Sequence, residues 1–475
     1  MNIKAIRLRN FRGFRDARIE LKPLTVLIGP NSAGKSSFGQ ALAALAHVHR
    51  TYASTPQASL TPPPNDKVED WPVDLGTTTD LRTEGTEGPV KIDLETINGL
   101  VELGFGGMLH NDGLFLSYAA LPSGEHSLPG ILHQKVVAGV PKGQTSGVVP
   151  VKGTFHEISA TTELKQVIEI KKIDELTWRE NATEVSVIID GLIVSAVRHM
   201  TGTARQLSNA ANDDVRSLLV KLTYLRANRK RPSRGYRDGN HRYQPIGYSG
   251  EWTPSILFKK GSEQVTYLEP PVIPNSVDEA KKSGVEWKPK NRTLSEALVD
   301  WLGRLEIASH VEVKQSGASN DLQLRVAPKG QSPHDITEIG FGVSQVIPVL
   351  VAGLLQPKDS LFIVDLPEAH LHPRPQSSIA DFFCSLALSG RTALVETHSE
   401  MFFHRLRLRA AQDPSLMDKI AVYFIDAPKD GVCTPPRLVG LRQEDYLRWP
   451  EGFLQEAWEM ETQIKAVRKA RDTKL

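Results

Sequence analysis

Hydrophobic positions along the chain follow two rhythms. Residues 3–8 alternate apolar and basic side chains, Ile3, Ile6 and Leu8 against Lys4 and Arg7, the period-two pattern of a half-buried strand, read here as an edge strand. Ile19, Glu20 and Leu21 suggest a second short strand. Residues 24–28 form a continuous apolar, β-branched run that stops at Gly29-Pro30. Such a run predicts a central strand buried on both faces. Residues 36–48, rich in Ala and Leu, predict a helix. Residues 360–365 and 393–397 repeat the continuous pattern and predict two further buried strands.

Between these runs the rhythm changes. Residues 51–66, with Pro62-Pro63-Pro64 at the centre, read as a surface loop. From about 88 to 200 short β runs alternate with Gly-rich turns, as at 91–95, 114–118 and 184–188, and predict an antiparallel β insertion. A helix is expected over 205–222. Leu294, Ala297, Leu298, Trp301, Leu302 and Leu305 recur at helical spacing. Residues 311–313 and 322–326 alternate as a hairpin would, 341–355 predicts another helix, and 451–475 an amphipathic one. The sum is an α/β fold with a mixed central sheet, an antiparallel β-rich insertion and a helical lobe. The expected boundaries are 1–88, 89–204, 205–330, 331–430 and a tail of 431–475.

Composition narrows the classes. The chain has 475 residues, 40% hydrophobic and 24% charged, enough to bury a core and too apolar for global disorder. A formal net charge of +2 does not mark a general polyanion binder. The two cysteines, Cys384 and Cys433, are far apart, which argues against a disulfide scaffold and structural zinc. No signal-peptide pattern opens the sequence, and no apolar run approaches the roughly 18 residues of a membrane span. A cytoplasmic protein with no membrane partner is expected.

Chemistry enters at residues 29–36, Gly-Pro-Asn-Ser-Ala-Gly-Lys-Ser. This is GxxxxGK[ST], placed after a predicted strand and before a predicted helix, the context the motif requires. Glycines let successive backbone N–H groups wrap a phosphate, and the helix N-terminus faces the same anion. Asn31, Ser32, Ala33, Gly34, Lys35, Ser36 and Ser37 would bind ATP, with Lys35 on the β- and γ-phosphates and Ser36 on Mg²⁺. Asp365, at the end of a buried run, supplies the second magnesium ligand such a loop needs.

The motif order resembles that of the ATP-binding-cassette heads of the RecF, SMC and overcoming-lysogenisation-defect (OLD) group. The opening residues 8–14, Leu-Arg-Asn-Phe-Arg-Gly-Phe, are similar to the group's entry motif, which adds Arg12 to the nucleotide site. Residues 29–36 are similar to its Walker A loop. Residues 365–373, Asp-Leu-Pro-Glu-Ala-His-Leu-His-Pro, resemble its extended Walker B, and Thr397-His398-Ser399 its switch histidine. Gly340, Phe341, Gly342, Ser344 and Gln345 stand where the signature motif lies. Residues 449–453 resemble the C-terminal domain of unknown function of bacterial AAA family members.

The resemblance implies an ABC-type ATPase head acting as a homodimer or higher homo-oligomer, the signature loop of one copy capping ATP on the other. It implies Asp365, Glu368 and His398 as the catalytic set. Two departures stand out. The usual signature serine is replaced by Gly340 or Phe341. Leu366 occupies the position where relatives carry the glutamate that activates water, so Glu368 is the candidate base. The Glu-x-His-x-His run 368–372 also suggests a metal, although the spacing fits no specific site. Glu396 is either a water-orienting acid or a buried, paired one. Asp74-Leu75-Gly76 is a weak candidate for the loop that carries the magnesium-side glutamine.

A basic run follows: Arg226, Arg229, Lys230, Arg231, Arg234, Arg237 and Arg242, interleaved with Tyr224, Tyr236 and Tyr243. Arg229, Lys230 and Arg231 are candidate nucleic-acid contacts. Equally, these are solvated or bonded to carboxylates, and Arg226 could face the nucleotide. The acidic cluster of an OLD nuclease domain is missing after His398, as are the long coiled coils of SMC proteins, so no intrinsic nuclease is expected. The ATPases of two-gene anti-phage systems such as Septu and PARIS are similar in plan. They imply a sensor and scaffold with an effector protein encoded nearby. A RecF-like DNA-binding repair protein and an OLD-like nuclease component are the alternatives.

Overall fold

The computed structural model describes residues 1–52, 60, 71–73, 75, 78–86, 90–108, 111–120, 130–134, 152–159, 162–169, 175–180, 183–190, 193–196, 203–239, 244–274, 276, 278–279, 286–316 and 321–442, with the backbone alone at 52, 78–79 and 106–209. Pro62–64, Asp74, Gly76, Arg242, Tyr243 and the predicted C-terminal helix with Trp449 lie outside the described residues.

β1 (Ile3–Phe11) and β2 (Phe14–Glu20) form a hairpin, and β3 (Leu24–Ile28) leads into α1 (Ser36–Tyr52) and the single turn α2 (Thr78–Leu81). The strands β4 (Val90–Thr96), β5 (Leu100–Met108), β6 (Asn111–Ala120), β7 (Gly130–Gln134), β8 (Lys152–Ser159), β9 (Thr162–Glu169), β10 (Glu175–Glu180), β11 (Thr183–Asp190) and β12 (Ile193–Ala196) follow. α3 (Thr203–Lys221) returns the chain to β13 (Thr223–Leu225). Next come α4 (Thr253–Lys260), the β14 (Gln264–Glu269) and β15 (Lys288–Thr293) pair, α5 (Leu294–Arg304), β16 (His310–Gln315), β17 (Leu322–Ala327) and β18 (His334–Asp335). The chain closes with α6 (Phe341–Leu355), β19 (Leu361–Asp365), α7 (Pro373–Leu388), β20 (Thr392–Glu396), α8 (Glu400–Gln412), β21 (Ile420–Phe424) and β22 (Arg437–Val439).

The organising element is a six-stranded sheet in the order β13-β19-β20-β3-β21-β22. All neighbours are parallel except β22. Every residue of β3, β19 and β20 is buried, which is why these strands read as unbroken apolar runs. Alternation then sorts their side chains. Leu27, Leu361, Ile363 and Leu394 pack with α1, α3 and the antiparallel strands. Val26, Ile28, Phe362, Val364 and Val395 pack with α5, α6, α7 and α8.

The antiparallel strands make an eight-stranded sheet, β2-β1-β4-β5-β6-β7-β8-β9, and a three-stranded one, β10-β11-β12. β1 is therefore not an edge strand: β2 pairs on one side and β4 on the other. Its basic positions misled because acids on neighbouring strands meet them. Arg7 pairs with Asp16, Arg9 with Asp93 at 2.7 Å, and Arg18 of β2 with Glu95 at 2.7 Å. Opposite charges across strands give this partly exposed polar face protein partners as well as water.

Helix ends follow local chemistry. Thr293 and Glu296 form a reciprocal capping box on α5, and Ser399 caps α8. α7 and α8 are tied by a buried charge cluster. Asp381 accepts from Arg405 at 2.8 and 2.9 Å and from Arg409 at 2.7 and 2.8 Å. Asp381→Ala would leave two guanidinium groups without their carboxylate, so a loss of about 3–5 kcal/mol is expected in urea unfolding.

Candidate functional site

The parallel register brings the ends of β3, β19 and β20 together. Val364 lies opposite Val395, Asp365 opposite Glu396, and Glu396 opposite Leu27. The chain leaving each strand crosses the same edge. Leu366 N donates to Glu396 O at 2.8 Å, and Thr397 N donates to Leu27 O at 3.1 Å. Residues separated by more than three hundred positions thus share one end of the sheet, where open α/β sheets carry their ligands.

After β3 the backbone turns through positive φ at Gly29 (145°), Ser32 (60°) and Gly34 (92°). Gly34 needs its freedom for a second reason: a Cβ there would sit 2.8 Å from the Phe14 ring. The loop therefore closes against the β1–β2 turn and delivers α1 with its N-terminus at Ser36. Lys35, 3% exposed, folds back so that Nζ donates to Pro30 O at 2.6 Å. Burial lowers its pKa, and the charge of Glu396 opposes that shift. Arg12 also reaches α1, where it donates to Gln40.

Three buried carboxylates face this loop. Glu396 accepts from the Ser36 hydroxyl; burial raises its pKa, while Ser36 and Lys35 pull it down. Asp365 accepts from Tyr224 Oη at 2.6 Å. Burial and the charge of Glu396 push its pKa up to about 8. Glu368 turns inward, and its Oε1 accepts from Thr397 Oγ1 at 2.7 Å and His398 N at 3.0 Å. Burial raises this carboxyl as well. The second oxygens of Glu368 and Glu396 are buried without a protein partner. Two such carboxylate oxygens at one end of the sheet are open to a further donor or a cation. The His398 ring donates to the Gly29 carbonyl, and burial and Lys35 keep it neutral.

This arrangement fits Mg²⁺ and a phosphate. A hydroxyl, carboxylates and a lysine converge on a loop of positive-φ turns at a helix N-terminus. The candidates Lys35, Ser36, Asp365, Glu368 and His398 are brought together with Glu396. The His-based metal reading is not supported. Glu368 points inward to Thr397, whereas His370 (φ 62°) points outward and stacks edge-on against Phe341 at 4.8 Å. Among the described residues no group of three His, Cys, Asp or Glu is placed to hold a metal on its own, so Mg²⁺ here would need the Ser36 hydroxyl and the phosphates as well.

The 340–345 turn begins α6 beside the loop after β19. Gly340 and Phe341 face solvent, Phe341 at 39% exposure. Ser344 Oγ donates to Phe341 O at 2.7 Å, and Gln345 Nε2 donates to Ser344 Oγ at 3.2 Å. Gln345 is 2% exposed, so the expectation that it reaches a second copy is corrected: its amide serves its own helix. Arg229 is a second correction. It is buried and donates to Asp365 O at 2.7 Å and Leu366 O at 3.1 Å, so it does not present to nucleic acid. Lys230 and Arg231 are exposed. Sequence reasoning missed Tyr224 as a partner of Asp365. Its one signal was the strand-like run ahead of the arginines.

Among the described residues no helix is long and apolar enough to cross a membrane. Two family models match, an "AAA ATPase domain" over residues 1–184 and an "AAA domain, putative AbiEii toxin, Type IV TA system" over residues 287–403. Similarity to these two models thus falls on two separate segments, the first holding 29–36 and the second 340–345, 365–372 and 396–398. No curated protein matches the chain. Similar solved structures include an SMC head bound to the C-terminal winged-helix domain of ScpA, at 12% identity and TM-score 0.37, covering 94% of this chain and 99% of that one. The SMC head domain from Thermotoga maritima has 10% identity and TM-score 0.33, covering 92% and 99%. A Pyrococcus furiosus SMC head with an extended coiled coil, bound to the C-terminal domain of ScpA, has 10% identity and TM-score 0.38, covering 98% and 99%. At these values they carry nothing about activity.

A glycine pair tests the packing of the 340–345 turn. A Cβ at Gly342 would lie 2.4 Å from His370 O, whereas at Gly340 nothing lies within 4 Å. Gly342→Ala is expected to cost about 1–3 kcal/mol. Gly340→Ala, which only weakens a cap, should cost under about 1 kcal/mol. Chemical denaturation of the two variants measures the difference.

Proposed function

We propose that the chain is an ATP-driven switch: an ATPase that binds Mg·ATP on residues 29–37, turns it over slowly, and pairs with a second copy through the 340–342 turn. It acts as sensor and scaffold in bacterial anti-phage defence, with the effector activity on a separately encoded protein. The carrying observation is the convergence of Lys35, Ser36, Asp365, Glu368, Glu396 and His398 at one end of a parallel sheet. The toxin–antitoxin description of the second family model favours a defence role over DNA repair.

The residues divide the work. Backbone N–H groups of Asn31, Ser32, Ala33, Gly34 and Ser37, together with Lys35, hold the phosphates. Ser36 and Asp365 would hold Mg²⁺, which when bound would offset the negative charge of the phosphates. Glu368 is anchored by one oxygen and offers the other to a water. It takes the proton as that water attacks the γ-phosphorus, in place of the residue at 366, while the bond from that phosphorus to the β–γ bridging oxygen breaks and ADP leaves with the electron pair. Neutral His398 bridges the end of β20 to the loop at Gly29, so it carries the state of one element to the other. In the pair, the N-terminus of α6 offers Gly340 and Phe341 to the nucleotide on the partner, with dipole and backbone N–H groups replacing the missing serine. Product release then opens the pair.

Lys35→Ala should abolish ATP binding in a filter or fluorescence assay. Glu368→Gln should retain binding, lose about 10²–10⁴-fold in turnover, and elute as a stable dimer with ATP on size-exclusion chromatography. Unchanged turnover in Glu368→Gln would remove Glu368 as the base. A wild-type protein that stays monomeric with ATP, and with which no other protein co-purifies, would remove the scaffold reading.

A further inference from the structure

Tyr224 and Arg229 belong to neither matched family segment, which end at 184 and resume at 287. Both nevertheless reach the end of β19. β13 runs parallel beside β19 with Leu225 opposite Val364, so it ends one residue short of Asp365. Tyr224, 1% exposed, donates from Oη to Asp365 Oδ2 at 2.6 Å. Arg229, 5% exposed, binds the carbonyls of Asp365 and Leu366 with its two terminal nitrogens. Leu366 has φ 48°, a conformation uncommon for leucine, and a residue held there needs support from its surroundings.

The support is itself fixed. Gln244 closes both backbone groups of Tyr224, accepting from its N at 3.0 Å and donating to its O at 2.7 Å. Arg226 N and Lys230 N donate to Tyr248 O and Ser249 O at 3.0 and 2.8 Å. A tyrosine and an arginine therefore sit at both ends of the Asp365 residue, one on the carboxylate and one on the peptide.

The geometry has a consequence for the free oxygen. With Oδ2 taken by Tyr224, Oδ1 remains, and it faces α1: a Cβ built at Gly39 would lie 3.7 Å from it. α1 is the helix that begins with Ser36. We propose that Tyr224 and Arg229 are positioning residues that orient Asp365 so that Oδ1 alone serves the magnesium site. This rests on the reading that Asp365 ligates magnesium. One-oxygen ligation at fixed geometry suits the small octahedral Mg²⁺, whereas a carboxylate free to swing could offer both oxygens to the larger Ca²⁺. Residues that hold a metal ligand from behind change metal affinity by about 10–100-fold when replaced.

The test is binding of a fluorescent ATP analogue, titrated with Mg²⁺ and, separately, with Ca²⁺, and measured also in EDTA. The proteins are full-length wild type, Tyr224→Phe, Arg229→Lys and Asp365→Asn. Tyr224→Phe should raise the half-saturating Mg²⁺ concentration about 10-fold or more, narrow the preference for Mg²⁺ over Ca²⁺, and leave the affinity in EDTA within about twofold. Arg229→Lys, which keeps the charge but not the two-pronged contact, should shift the same way and carries the test if Tyr224→Phe does not fold. A raised midpoint in Asp365→Asn with none in Tyr224→Phe or Arg229→Lys would overturn the positioning role and leave the magnesium reading standing. Equal losses with and without metal in both variants would also overturn it, as a general structural effect. No shift in Asp365→Asn would remove the magnesium reading and this proposal together.

Discussion

Everything at the site depends on holding three carboxylates inside the protein beside one lysine. Asp365, Glu368 and Glu396 are each under 9% exposed, and desolvation of so many like charges is costly. The fold offsets that cost with directed donors. Tyr224 serves Asp365, Thr397 and the His398 backbone serve Glu368, and Ser36 with Lys35 serves Glu396. The donors come from three places in the chain, residues 35–36, 224 and 397–398, so the parallel register of β13, β19, β20 and β3 is needed to satisfy all three carboxylates. The two oxygens left without partners are where the cost is deferred to a bound group.

The central sheet was legible because its strands are buried on both faces. Residues 24–28, 361–365 and 392–396 are buried throughout and mostly apolar, and the acid that ends β19 and β20 and the glycine that follows β3 locate the site. The loop at 29–36 was equally legible, since Gly34 and Lys35 have few other uses at that spacing. The antiparallel sheet was visible as a class of structure but not in its pairing. Charge alternation in β1 reports a polar face, and it is silent on whether water or an acid on the next strand meets it.

Side-chain direction was the part that sequence withheld. Arg229 lies in a run of exposed cations, and only the neighbouring end of β19 turns it inward. Gln345 looks like a contact residue until the first turn of α6 claims its amide. Tyr224 looks like strand filler. All three roles depend on contacts more than a hundred positions away or on one helix turn, and local pattern encodes neither. Glu368 is the opposite case: its distance from Asp365 could be counted, and the left-handed turn at Leu366 is what swings it back over Thr397 and His398.

The central claim is that segments distant in sequence form one nucleotide site. Hydrogen exchange with and without Mg·ATP tests it most directly, with Lys35→Ala as the reference. Concerted protection of 29–37, 365–370 and 396–399 on adding nucleotide, absent in the variant, is the result the account predicts. Protection of 339–345 that grows with protein concentration would add the second copy. Protection confined to 29–37, with the ends of β19 and β20 unchanged, would contradict it.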